Sequence, residues 1–236
     1  MSEPQSVNDL STSTQNYLKV IWSLTEWSAA PVTASSVAKV TGLRMSSVSD
    51  AVRKLASQGL LTHAPYGSVE LTKQGRVFAV EMIRRHRLIE TFLVESLGYR
   101  WDQVHDEAEH LEHAVSDFMV ERLDEFLGYP TRDPHGDPIP SADGRVRNLD
   151  AHSLTEFGTG RRVVIERISD PDPELLKYFH KNGLVVGALL DVAEGAPFSE
   201  ALEIRVVGAT QPVSLGRSAT DALFVSPADA SQPSSE

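Results

Sequence analysis

Between residues 14 and 27 apolar side chains recur at Tyr17, Leu18, Ile21, Trp22 and Leu24, the period of an amphipathic helix. Thr33 can cap a second helix that encloses Ala34, Val37, Ala38 and Val40 and is broken at Thr41-Gly42. Ser46 can cap a third, with Val48, Ala51, Val52 and Leu55 on one face and Gly59 beyond its end. Residues 60–72 then read as two short strands around a Pro65-Tyr66-Gly67 turn. Helical patterning returns over 78–97 and 103–127. Its apolar positions include Ile83, Leu88, Ile89, Phe92, Leu93, Leu111, Val115, Phe118, Met119, Leu123 and Leu127. Two isolated helices cannot bury that much surface in each other, and a two-fold dimer interface is a natural use for it, packing on neighbouring domains being the other.

Residues 128–160 are rich in Pro, Gly and Asp and read as a long loop and linker. Short apolar runs follow at 161–168, 184–193, 202–207, 212–215 and 222–225, with a short helix over 173–181. Their spacing predicts a small β barrel. The fold class expected is therefore mainly α with a small β domain. A winged helix-turn-helix occupies 1–77, a helical dimerisation and metal-binding domain 78–147, a small β domain 160–227, and a disordered tail 228–236.

Composition narrows the function. At 41% hydrophobic and 23% charged, the chain can bury a core, yet no stretch has the run of about 18 apolar residues that a membrane helix needs. The N-terminus lacks the basic and apolar regions of a secretory signal, and a cytoplasmic protein without a membrane partner is expected. There is no cysteine, which excludes disulfides, thiolate nucleophiles and cysteine zinc sites. The net charge of -11 argues against nucleic acid until its distribution is considered. Residues 1–90 carry ten basic and seven acidic residues, a net of +3, against -14 for the remainder. A mildly basic head on an acidic body fits DNA binding by the head.

The order helix, helix, tight turn, helix, hairpin is that of a winged helix, in which the third helix enters the major groove. Arg44, Ser46, Ser47, Ser49, Asp50 and Arg53 are the candidate DNA-binding residues. Ser and Arg reach phosphates and bases, and Asp accepts from cytosine N4. The bland alternative is an ordinary polar helix surface.

The segment 105–113, HDEAEHLEH, places His105, Glu109, Glu112 and His113 at i, i+4, i+7 and i+8, one face of a helix, with Glu107 and His110 elsewhere. His86 and Glu90 are spaced i, i+4 on the preceding helix. Two antiparallel helices can bring these faces together, and an oxygen- and nitrogen-rich set suits Mn2+, Fe2+ or Zn2+. Spacing alone leaves a solvated helix face equally open. Asp133-Pro-His135-Gly in the linker is a third cluster that loop chemistry alone can explain.

With these residues in view, the chain resembles the diphtheria toxin repressor family of metal-dependent regulators, and within it the manganese transport regulators. The resemblance rests on Tyr17-Leu18, the 44–60 segment, Arg85-His86-Arg87-Leu88, His105-Asp106-Glu107-Ala108-Glu109 with Glu112-His113, and Pro138-Ile139-Pro140. It spans roughly 10–227 and implies that the C-terminal β domain is an SH3-like barrel. It also implies a primary metal site of His86, Glu109, Glu112 and His113, with Asn16 as the ligand from the first helix. Iron-responsive members have Cys where Glu109 stands and Met where Asn16 stands. Hard oxygen in place of soft sulfur implies Mn2+ as the cofactor, with Fe2+ the alternative. Manganese members usually have Asp at the Asn16 position, and Asn brings no charge. Lys19 stands where some binuclear members have an acid, so that binuclear arrangement is not expected.

A secondary site is implied at Glu90 with His105, or at Glu90, Asp133 and His135, completed by an acid from the stretch Asp170-Pro-Asp172-Pro-Glu174, with Asp172 the choice. The resemblance implies a homodimeric repressor of metal-homeostasis genes that binds palindromic operator DNA. Metal would tie the reading head to the dimer scaffold, and without it the carboxylates would repel. A non-haem metalloenzyme is the rival from another class. A di-iron bundle needs Glu-x-x-His on two helices, and here Glu107-x-x-His110 is the only one on these helices; no enzymatic activity is expected.

Overall fold

A computed structural model describes residues 6–63, 67–169 and 172–228. The Pro65-Tyr66 turn, Asp170 and the tail from 229 lie outside the described residues. The chain forms two compact units. The first takes in residues up to Ile89, with Ala108–Tyr129 and Ile139–Val146. The second takes in Glu90–Glu107, Pro130–Pro138 and residues from Arg147 onward.

In the first unit, α1 (Thr12–Glu26) starts at Ser11, whose hydroxyl accepts from the Thr14 amide, satisfying one of the donors that a helix start leaves unpaired. Thr33 caps α2 (Ala34–Thr41) in a reciprocal box with Ser36. Gly42 ends α2 in the left-handed region at φ 67°, where a side chain would be strained. Helix α3 (Met45–Ser57) begins two residues earlier than the Ser46 cap predicts: Arg44 holds the cap position and its side chain makes no capping bond. Strands β1 (Leu61–His63) and β2 (Val69–Leu71) pair antiparallel, Leu61 opposite Leu71. Leu18, Ile21, Trp22, Val37, Val48, Val52, Leu55, Phe78 and Met82 share one buried core with them.

Helix α4 (Lys73–Leu97) is unbroken. The predicted helix over 103–127 is not. It divides into α5 (Val104–Leu111) and α6 (Asp117–Phe126). The break is local chemistry. The Ala114 amide switches to the Leu111 carbonyl at 2.9 Å, a tightened last turn, and Ser116 caps the new helix by accepting from Met119. Of the apolar residues expected at a dimer face, Ile83, Leu88, Ile89, Leu93, Val115 and Leu123 are buried within the chain. Leu111, Phe118 and Met119, with Phe126 and Tyr129 beside them, are exposed, Phe118 to 72% and Phe126 to 68%.

The run Arg85-His86-Arg87 resolves into two ion-pair anchors with buried guanidinium groups around one histidine. Arg85 bonds Glu81 at 2.7 Å and Asp117. Arg87 forks onto Glu26 at 2.9 and 2.6 Å, fastening α4 to the end of α1.

The second unit holds a six-stranded antiparallel sheet: β3 (His152–Ser153), β4 (Arg162–Ile168), β5 (Leu189–Glu194), β6 (Leu202–Val206), β7 (Val213–Leu215) and β8 (Leu223–Pro227), in the order β3-β8-β4-β5-β6-β7. This sheet is the small β domain expected; among the described residues its end strands β3 and β7 are not paired with each other. Short helices α7 (Leu154–Phe157), α8 (Pro173–Lys181) and α9 (Arg217–Ala222) complete it. Val163, Ile165, Ile168, Leu176, Phe179, Leu190, Ile204 and Val225 form its core. The β4–β8 register shifts between Ile165 and Arg167, a bulge that turns out to matter for the linker. No helix among the described residues is long and apolar enough to cross a membrane.

Candidate metal centres and recognition helix

On α1, Asn16 and Lys19 are three residues apart and so share a face. The Lys19 ammonium bonds the Glu109 carboxylate and, at 2.7 Å, Oε1 of Glu112. Glu112 is fully buried, and its Oε2 lies 2.6 Å from Nδ1 of His86. Ligand-capable atoms of His86, Glu109 and Glu112 all fall within 4.8 Å of one another. A carboxylate buried to this degree needs cationic or hydrogen-bonding compensation, and Lys19 with His86 supplies it.

His113 stands in the turn after α5 and not on the helix face its spacing suggested. Its Nδ1 is 2.6 Å from Oε1 of Gln15, while the Gln15 amide nitrogen donates to the Val7 carbonyl at 2.8 Å. That second bond orients the amide, so Oε1 faces the ring and Nδ1–H is the donor. Nε2 therefore carries the lone pair. It is buried with no hydrogen-bond partner, as is Oδ1 of Asn16. Burial holds the His113 imidazole below its usual pKa, the Glu112 carboxylate opposing this and the Lys19 charge adding to it. His113 Nε2 lies 3.5 Å from Oε1 of Glu112, so an imidazole lone pair adjoins the cluster of His86, Glu109 and Glu112. Nitrogen and carboxylate donors gathered in this way fit a divalent metal.

The second unit gathers a different cluster. Glu90, Asp133 and His135 are all buried, with ligand-capable atoms within 4.8 Å of one another. Here the linker does the positioning. Oδ1 of Asp133 accepts from the amides of His135 and Asp137, both at 2.9 Å. His135 Nε2 lies 2.9 Å from the Trp101 carbonyl, an oxygen that can only accept. Nε2–H is thus the donor to that carbonyl, and Nδ1 faces Glu90 Oε2, 3.8 Å away. Gly136 sits at φ 90°, and a Cβ there would meet the Glu166 carbonyl at 2.2 Å. The Glu166 bulge on β4 receives this tight turn, Arg132 bonds the Glu166 carbonyl and carboxylate at 3.0 and 2.6 Å, and the Ile168 amide bonds the His135 carbonyl at 2.8 Å. The linker expected as a loop is therefore a packed loop whose polar groups are met internally.

The helix-face expectation for 105–113 is thus divided. Glu109 and Glu112 join His86, whereas His105 lies half-exposed with Nδ1 3.6 Å from Glu90 Oε1. Glu107 and His110 are exposed, as expected. Asp172 is not brought to the Glu90 cluster. It is exposed and caps α8, accepting from the Glu174 amide at 2.9 Å; a Pro at the first helical position makes that cap the natural use of an Asp before it. Gln15 and Lys19 were missed as participants. Lys19 left a trace, since a lysine stands where some binuclear members have an acid. Gln15 left no signal in the spacing.

On α3, Arg44, Ser46, Ser47, Asp50 and Arg53 are exposed and Ser49 half-buried, while Val48, Val52 and Leu55 face the core. Arg53 pairs with Asp50 at the surface.

With that geometry in place the comparisons decide the family. Residues 9–69 match the iron dependent repressor N-terminal DNA binding domain, 72–141 the iron dependent repressor metal binding and dimerisation domain, and 152–227 the FeoA domain. The chain is 33% identical over 199 residues to the iron-dependent repressor IdeR of Mycobacterium leprae, covering 79% of this chain and 86% of that one. The chain belongs to the diphtheria toxin repressor family. The repressor of that name from Corynebacterium efficiens is 31% identical over 197 residues, 79% of this chain and 85% of its own. Among solved structures, a manganese-dependent transcriptional repressor in complex with manganese superposes with a TM-score of 0.86 at 47% identity, covering 91% of this chain and all of that one. Members of this family are metal-dependent transcriptional repressors, regulators and not enzymes, and the three matched segments account for the head, the helical scaffold and the C-terminal sheet.

Proposed function

We propose that this chain is a manganese-activated repressor that binds palindromic operator DNA as a homodimer and controls metal-ion homeostasis genes in the cytoplasm. The observation that carries the reading is the cluster of His86, Glu109 and Glu112, with the buried His113 Nε2 3.5 Å from Glu112. The site residues are Asn16, His86, Glu109, Glu112 and His113 at a primary centre, and Glu90, Asp133 and His135, with His105 adjacent, at a second. Both sets offer oxygen and imidazole nitrogen and no sulfur, a hard mixture that favours Mn2+. The 47% identical structural neighbour is a manganese-dependent repressor in complex with manganese, which supports the same reading. Fe2+ is the second reading, favoured by the names of the IdeR relatives.

A bound divalent cation supplies a multivalent link among these donors. Asn16 stands on α1 of the reading head, and Glu109, Glu112 and His113 stand at α5 and its end, so holding them together fixes how α1 sits on the scaffold. Gln15 keeps the His113 ring turned, and Glu112 keeps His86 in place. The exposed Leu111, Phe118, Met119 and Phe126 face is suited to a second copy, and a fixed head on each copy sets the spacing of two α3 helices for two half-sites. Arg44 and Arg53 reach phosphates or guanine, and the serines and Asp50 reach base edges.

Electron paramagnetic resonance of free Mn2+, titrated into the full chain, tests the site assignment. The expected result is saturable binding that Glu112→Gln weakens at one class of site and His135→Ala at another. Binding unaffected by either substitution would contradict it.

A further inference from the structure

The primary centre already contains a cation. Lys19 is nine-tenths buried, and its ammonium bonds both carboxylates that the proposed metal would use, Glu109 and Glu112. An ammonium and a divalent ion held by the same two carboxylates repel each other strongly where one of those carboxylates, Glu112, is fully buried. We infer that Lys19 is a resident competitor of the metal: the ion must displace the ammonium from Glu109 and Glu112, and this exchange sets the metal concentration at which the protein responds. The inference rests on the primary-site assignment proposed above.

The geometry has two consequences. Without bound metal, α1 remains fastened to Glu109 and Glu112 through Lys19, so the expected mutual repulsion of the carboxylates is already neutralised. Activation is then an exchange between two ties, one through Lys19 and one through Asn16 and the shared carboxylates, and not the making of a tie where none existed. A lysine suits this role because its flexible four-carbon stem lets the charge swing out to water while α1 stays helical. Arginine, with a planar fork matched to carboxylates, would hold more firmly.

The test uses the full chain and Mn2+ alone, with free ion read by paramagnetic resonance. Lys19→Gln is expected to bind Mn2+ about tenfold or more tightly at the site that Glu112→Gln abolishes, and Lys19→Arg no more tightly than the original chain. Without metal, Lys19→Gln should melt lower than the original and gain more from added Mn2+. Where Lys19→Gln does not fold, the original chain gives the answer: reductive methylation followed by mass spectrometry should label Lys19 slowly without metal and several-fold faster with Mn2+. Equal or weaker Mn2+ binding by Lys19→Gln, tighter binding by Lys19→Arg, or an unchanged labelling rate overturns the inference while leaving the site assignment intact. Absence of any Mn2+ site sensitive to Glu112→Gln overturns the site assignment, and this inference with it.

Discussion

The two candidate centres use similar donors and differ in what holds them. At the primary centre, mobile side-chain charge does the work: Lys19 bridges Glu109 and Glu112, and Glu112 reaches His86. At the second, backbone does it: Asp133 accepts two amides of its own loop, and His135 is turned by the Trp101 carbonyl. On the proposed function the first, whose cation can be exchanged, acts as the sensor. The second, with Asp133 already held by amides of its own loop, has a lower ordering cost of binding and acts as a clip on the C-terminal unit. A metal switch needs compensation that can be released, whereas a structural clip needs a fixed cradle.

The largest effect that would break this contrast is at Glu112. Replacing it with Ala removes one of the two carboxylate partners of the buried Lys19 charge and the carboxylate at His86, and should cost on the order of 3 kcal/mol together with the primary metal response; chemical denaturation with and without Mn2+ checks both. Gly136→Ala comes next. Its Cβ would collide with the Glu166 carbonyl at a positive φ, and a loss of roughly 1–3 kcal/mol is expected, with weakened second-site binding and an intact primary site. If Gly136→Ala impaired the primary site equally, the two centres would not be separable as described. Gln15→Leu removes the acceptor that orients His113 and should lower primary-site affinity about 10–100-fold with little change in fold, read by the same Mn2+ titration.

The head was legible in the sequence because each of its elements carries its own local signal: the Thr33 cap, the Gly42 stop and the apolar faces of α1 and α3 are intrinsic to their segments. The break between α5 and α6 was not, because the 103–127 pattern keeps its period through the turn and only the Ser116 cap marks it. That break moves His113 off the helix face and divides a set that spacing had grouped. The grouping of Glu90 with Asp133 and His135 crosses more than 40 positions of chain and depends on a bulge at Glu166, so no periodicity could report it; the family resemblance did. Asp172 misled because an acid between two prolines has a purely local use as a helix cap.

Two smaller effects sharpen the account. Arg53→Ala breaks only a surface pair with Asp50 and should change stability by under about 0.5 kcal/mol, yet weaken operator binding by about 1–3 kcal/mol if Arg53 meets a base edge; anisotropy on DNA against a melting curve separates the two. His113 gives the smallest effect. Its folded pKa lies below its unfolded value near 6.5 because burial penalises the charged ring. The unfolded chain therefore takes up this proton first, and stability falls as pH drops below about 6.5 toward the depressed folded value. His113→Gln should make that slope shallower, measured by denaturation between pH 5 and 7.5 without metal, a range set by the histidine pKa.

The central claim is that a divalent metal, preferentially Mn2+, converts the head into its DNA-binding arrangement. Its most direct test is fluorescence anisotropy of labelled genomic fragments selected by this protein, titrated with Mn2+ and, anaerobically, with Fe2+. The account predicts DNA binding that appears with Mn2+ at lower free metal than with Fe2+ and is lost in Glu112→Gln. Equal DNA binding with and without metal would contradict it.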